Sequence, residues 1–146
     1  VSKLLESDID SKNLMNILRA KKSNAENLFI EKILISNGGM DKKYLSGLLK
    51  LESVEKIIET VKAKFGLQQA LEKFKEDNSL IHFELGLEKL KLSKGLSVLR
   101  RSILSIGTIM GFVYLKEQEI SNIKKILRAK EFNIEKEETE KMLLFI

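Results

Sequence analysis

Asn13-Leu14-Met15-Asn16-Ile17-Leu18-Arg19-Ala20-Lys21 stands near the start of a 146-residue chain and returns, slightly altered, as Asn122-Ile123-Lys124-Lys125-Ile126-Leu127-Arg128-Ala129-Lys130. The offset of 109 holds without a gap beyond both blocks: Asn24 matches Asn133, Glu26 matches Glu135, and Glu31-Lys32 matches Glu140-Lys141. Between residues 13 and 34, 11 of 22 positions are identical, where ordinary composition gives roughly one or two. The segment is duplicated. A period near 109 is longer than the ~20–50 residues of solenoid repeats and suits a small domain used more than once. We expect one helical repeat domain over residues 1–109 and the beginning of the next over 110–146. Residues 9–35 and 118–144 should then fold as the same helix-turn-helix.

Within the block, Leu14, Ile17 and Leu18 make one helical stripe, with Asn13 at its edge. Similar spacing recurs at Phe29, Ile30, Ile33 and Leu34, and at Leu45, Leu48 and Leu49, and no stretch alternates as a strand does. The chain has no proline at all, the residue that breaks helices and punctuates loop-rich β folds. An all-α fold follows, with helices near 3–22, 25–36, 41–50, 53–65, 67–77 and 79–92. Asn24 is expected to cap a helix from Ala25, and Asn37-Gly38-Gly39 before Asp41 reads as a stop, a turn and the next N-cap. After Gly95 the most apolar section, Leu96 to Leu115, is expected to be buried, with Gly107 and Gly111 letting a core helix pack tightly on a neighbour. The helical pattern runs on through Lys130, and Asn133 opens a last helix to Ile146.

Composition narrows the chemistry. Hydrophobic residues make up 43%, enough for a core in one domain of this length. Zero cysteines exclude a disulfide scaffold, a thiolate metal site and a cysteine nucleophile. His82 is the single histidine, so Ser-His-Asp, Cys-His and two-histidine zinc arrangements lack a partner. It reads as a packed or surface side chain. Ser102 to Leu115 carries no charge but is only 14 residues long, short of the roughly 20 a bilayer crossing needs, and should pack inside the protein. The start turns acidic at Glu6 before any signal-peptide core develops, and the lack of an initiator Met suggests a piece of a longer chain.

The net charge of +5 raises the question of nucleic acid, with Lys21-Lys22, Lys42-Lys43, Arg100-Arg101 and Lys124-Lys125 as basic pairs. Acids follow closely at Glu26, Asp41 and Glu131, and the aromatics lie mostly within apolar stripes, so the concentrated basic face of a nucleic-acid binder is missing. The run Glu135 to Lys141 is a solvated helix face with no histidine or second acidic cluster to make a metal site. Gly38-Gly39 lacks the downstream Gly-Lys-Ser/Thr of a phosphate loop. No catalytic residue, cofactor or metal is assigned, and the chain should neither bind nor hydrolyse ATP. Arg19 and Arg128 lie off the apolar stripe. They are either contacts between repeats or with a partner, or solvated charges favoured by the helix dipole. Asn13, Arg19, Asn122 and Arg128 are the candidate inter-repeat or partner contacts.

The block Asp10 to Lys21, with Leu34 to Gly38-Gly39 after it, resembles the C subunit of the archaeal A-type and bacterial V-type rotary ATPases, whose eukaryotic relative is the d subunit of the V-ATPase. Tyr114-Leu115-Lys116-Glu117-Gln118-Glu119-Ile120-Ser121-Asn122-Ile123 is similar to the same family's late motif. The resemblance covers essentially the whole chain, read as the C-terminal part of the family's sequence. It implies three similar helical domains around a pseudo-threefold axis, forming a funnel. It further implies a non-catalytic central-stalk component of an ATP synthase, a socket that couples the central shaft subunits to the membrane rotor ring during proton or sodium transport. Such a component is peripheral, on the cytoplasmic face, and meets the membrane only indirectly. The competing reading is a helical adaptor that binds nucleic acid or an acidic protein through the basic pairs.

Overall fold

The computed structural model describes residues 2–25, 27–101 and 105–145. Among them eight helices follow one another, α1 (Ser2–Lys22), α2 (Asn27–Ile33), α3 (Lys42–Leu49), α4 (Val54–Phe65), α5 (Gln68–Asp77), α6 (Ile81–Arg101), α7 (Ile106–Glu131) and α8 (Lys136–Met142). Among the described residues there is no strand, and the fold is all-α. The chain divides into two compact units, Ser2–Glu88 and Lys89–Ile146, the division falling inside α6.

In the unit Ser2–Glu88, α1 packs on α2, α3 and α4, and α4 on α5. The stripe predicted for α1 forms the centre: Leu14, Ile17 and Leu18 are fully buried, together with Ile57, Ile58 and Val61 of α4 and Phe83 of α6. Each such side chain contributes about 1.5–3 kcal/mol by leaving water. Local chemistry sets the helix starts. Asp41 accepts a hydrogen bond from the Tyr44 amide at 2.6 Å to open α3, as predicted, and Ser53 caps α4 by accepting from Lys56 N.

Three of the described helices, α1, α5 and α7, stop at or beside an asparagine. Among the described residues, every non-glycine residue with positive φ is an asparagine: Asn24, Asn37, Asn78 and Asn133. Asparagine tolerates the left-handed conformation that terminates a helix. This corrects the expectation for two of them. Asn24 does not cap the helix that follows it. It closes α1, with its own amide bonded to Lys21 O at 3.1 Å and the Ala25 amide to Ala20 O at 2.9 Å, the paired pattern of a Schellman stop. Asn133 likewise closes α7 and opens nothing: Asn133 N donates to Lys130 O at 3.3 Å and Ile134 N to Ala129 O at 2.8 Å. The last helix, α8, therefore starts at Lys136 and ends at Met142, short of the predicted Ile146.

In the unit Lys89–Ile146, Gly95 does not end a helix. α6 runs through it to Arg101, because the bare Cα sits against Tyr114; a Cβ there would lie 3.3 Å from the Tyr114 Cβ. Gly111 meets the same helix still more closely, and a Cβ on it would lie 3.0 Å from both Gly95 O and the Leu99 Cβ. The expected tight packing through Gly111 is present, but burial of the whole section Leu96 to Leu115 is not. Only one face of α7 is covered, by Gly107, Gly111 and Tyr114, whereas Ile106, Ile109, Phe112 and Val113 are exposed. Residues 102–104 of that section lie outside the described residues. Among the described residues, no helix is long and apolar enough to cross a membrane.

Candidate functional site

Asn13 lies on α1 with no exposed surface. Its Nδ2 donates to Ile35 O at 2.8 Å, and its Oδ1 accepts from Ile35 N at 2.7 Å. The side-chain amide thus bonds the backbone as a neighbouring peptide would, and it fastens the segment after α2 to α1. The bond pair also satisfies the buried side-chain amide of Asn13 itself, whose polar atoms would otherwise cost about 1–3 kcal/mol each. Asn122 on α7 makes the corresponding pair with Leu144, donating to its oxygen at 2.7 Å and accepting from its amide at 3.2 Å. Gln118 Nε2 also donates to Asn122 Oδ1, and Lys125 Nζ donates to Met142 O at 3.1 Å. Both fasteners span 22 residues, and their members are separated by 109.

The arginines behave differently from one another. Arg19 Nη2 donates to Glu84 Oε1 at 2.6 Å, an ion pair of two half-exposed side chains joining α1 to α6 inside its own unit. Beside it, Lys22 Nζ donates to Asn78 O. Arg128 is exposed and forms no ion pair among the described residues. Within their own units, the two asparagines each close a hairpin, Arg19 ties α1 to α6, and Arg128 is exposed.

A residue that sequence reasoning passed over is Asp10, which is buried. Its Oδ1 accepts from Met40 N at 2.8 Å, and Lys64 Nζ lies 4.0 Å from Oδ2. Gly38 passes so close that a Cβ there would meet Asp10 Oδ1 at 2.5 Å. The signal was Gly38-Gly39 itself: two glycines where one would make a turn mark a close approach.

Among the described residues nothing assembles into a catalytic constellation. His82 Nε2 lies 3.1 Å from Asp77 Oδ2 on the surface, with no nucleophile in the pair. Among the described residues no group of His, Asp and Glu is placed to hold a metal ion. The Glu52 carboxyl is moved below its ordinary range by its hydrogen bond to Lys56 and by the charge of that ammonium; it is fully exposed, just before α4.

The family model of the ATP synthase (C/AC39) subunit matches residues 1–142. The chain belongs to this family. Curated relatives are the C subunits of A-type ATP synthases. That of Methanobrevibacter smithii is 33% identical over 84% of this chain and 33% of its own length. That of Thermoplasma volcanium is 26% identical over 86% of this chain and 35% of its own, and that of Methanococcoides burtonii 29% over 93% and 38%. The chain thus spans between a third and two fifths of these relatives. No solved structure gives a significant match.

Proposed function

We propose that the chain is a non-catalytic coupling element of an A-type or V-type rotary ATPase, part of the central-stalk protein that joins the rotating shaft to the membrane rotor ring. The observation that carries this reading is the pair of asparagine fasteners, Asn13 with Ile35 and Asn122 with Leu144, at one chain offset. They support a helical module of about 109 residues, with one copy over 1–109 and the beginning of another over 110–146, of the kind a pseudo-threefold funnel would use. A torque-bearing socket needs stiff modules with surfaces for other subunits, and it needs no acid, base or phosphate loop. On this reading the protein works at the cytoplasmic face as a peripheral component, and Arg128 is available to a neighbouring module or subunit.

The test is reconstitution with rotor ring and shaft subunits. The expected result is that the full-length protein that includes this segment co-purifies with both, restores ATP-driven ion transport, and shows no ATP binding of its own in equilibrium dialysis. Transport that proceeds equally without it, or ATP turnover abolished by one substitution in this chain, would remove the reading. Phosphate-dominated binding to nucleic acid, recognised by a steep loss of affinity with salt, would favour the adaptor instead.

A further inference from the structure

One helical face occurs twice in this chain, once covered and once bare. On α1, Leu14, Ile17 and Leu18 are each 0% exposed, in a helix that packs on α3 and α4. The residues 109 further on, Ile123, Ile126 and Leu127 of α7, are 56%, 37% and 61% exposed. The difference is not one of side-chain type, because both triplets are Leu and Ile. Nor is it a difference in the hairpin, since Asn13 and Asn122 make the same two bonds. What differs is the cover: α1 packs on α3 and α4, whereas α7 packs on α8 through the fastened side and meets α6 near its start at Gly111, and neither covers these three side chains. A stripe of three large aliphatic side chains left in water on a well-fastened helix is a docking face.

We infer that Ile123, Ile126 and Leu127 form a core seam whose occupant is a helix pair with the chemistry of α3–α4, two short amphipathic helices presenting Leu, Ile and Val at helical spacing. The inference rests on the module reading above and names the partner of its second copy. The chain itself displays that occupant: Leu48 and Leu49 of α3 and Ile57, Ile58 and Val61 of α4 are the buried residues of the pair that packs on α1. A second α7 is the weaker fit. The seam, followed at 3.5-residue spacing along α7, meets Lys116 and Lys130, which a parallel self-pair would set against their own copies.

The experiment joins residues 1–145 to a second copy of residues 37–77, since residue 145 stands 109 after residue 36. The appended copy alone carries ¹⁵N, introduced by segmental ligation. The expected result is a dispersed amide spectrum for the appended copy, with amide exchange slowed at least tenfold relative to an unfolded chain. Ile123→Ser with Leu127→Ser should collapse that spectrum to the unfolded pattern. Ile106→Ser with Ile109→Ser should not, because those exposed residues have no counterpart on the covered face of α1. An appended copy that stays unfolded overturns the inference. So does equal collapse in both double variants, which would mean indiscriminate stickiness, or folding that appears only as the protein dimerises on sedimentation. Loss of transport in the reconstitution bears on the coupling role and leaves this result untouched.

Discussion

Asn13 holds both backbone polar groups of Ile35 with a single side chain, at 2.8 and 2.7 Å, from a position that water does not reach. The bond pair closes the α1–α2 hairpin, so removing the amide breaks two hydrogen bonds and leaves a gap at a fully buried position on α1. Asn13→Ala should cost about 2–4 kcal/mol and lower the thermal midpoint by roughly 5–15 °C. Asn122→Ala, whose site is half-buried, should cost about half as much. Circular dichroism melts give the ranking, and hydrogen exchange should show residues 30–36 released in the first variant and 136–145 in the second. Equal melts for wild type and Asn13→Ala would show that the fastener carries no stability.

Asn24 and Asn133 sit at φ 54 and 52, and their substitution series separates a helix stop from a helix start. At a left-handed stop, Gly should be neutral or slightly stabilising, whereas Ser and Val should each cost about 1–2 kcal/mol. At an N-cap, Ser would equal Asn. We expect the first order at both positions, read from urea unfolding midpoints.

Gly38→Ala should destabilise the unit Ser2–Glu88 by about 1–3 kcal/mol, because the new methyl group would press on the Asp10 carboxylate in a packed setting. The penalty should shrink in the Asp10→Ala background. A double-mutant cycle measures this, and strict additivity of the two changes would contradict the contact.

The Arg19–Glu84 pair is half-exposed, so Arg19→Ala should cost no more than about 1 kcal/mol, and the cost should fade as salt screens the pair. Melts at low and high ionic strength test it. A large, salt-independent loss would mean that Arg19 packs more than it pairs.

Glu52 titrates below its ordinary value of 4.5 because Lys56 bonds and attracts its charged form. Its contribution is therefore present above that value and is lost as pH falls through the lowered one. Since the group is fully exposed, the effect is small. The melting points of wild type and Glu52→Gln should differ slightly at pH 6 and draw together as pH falls below the ordinary carboxyl range, and a gap that widens with acid would reverse the sign of the linkage.

The helices are legible in the chain wherever a stripe of aliphatic residues has a covering partner within it, as for Leu14, Ile17 and Leu18 or Leu45, Leu48 and Leu49. Periodicity reports that a face is apolar and is silent about what lies on it, which is why Leu96 to Leu115 reads as core although Ile106, Ile109, Phe112 and Val113 stand in water. Asn24 and Asn133 are recognisable as boundaries, but the side on which each helix lies is misread, because asparagine favours both ends of a helix for different reasons. The helix expected near 79–92 is read too short, since local propensity does not know that Tyr114 will lie across Gly95 and let α6 run on. Asn13 and Asn122 are singled out by their matching places in the sequence as candidate contacts between repeats or with a partner, and in the structure each bonds backbone inside its own hairpin. Their bonding partners, Ile35 and Leu144, bear no signature because they contribute backbone alone.

The crossing of α6 and α7 at Gly95 and Gly111 sets an order in time. Glycine costs a helix interior about 1 kcal/mol relative to alanine, and α7 carries two glycines near its start, at Gly107 and Gly111. Neither helix has a strong local reason to form around that point. They should become helical in meeting each other, and α8, which needs Asn122 already presented on α7, should join afterwards. Folding kinetics would then assign Gly111→Ala a high transition-state value and Asn122→Ala a low one, making the bare crossing the rate-setting event for the C-terminal unit.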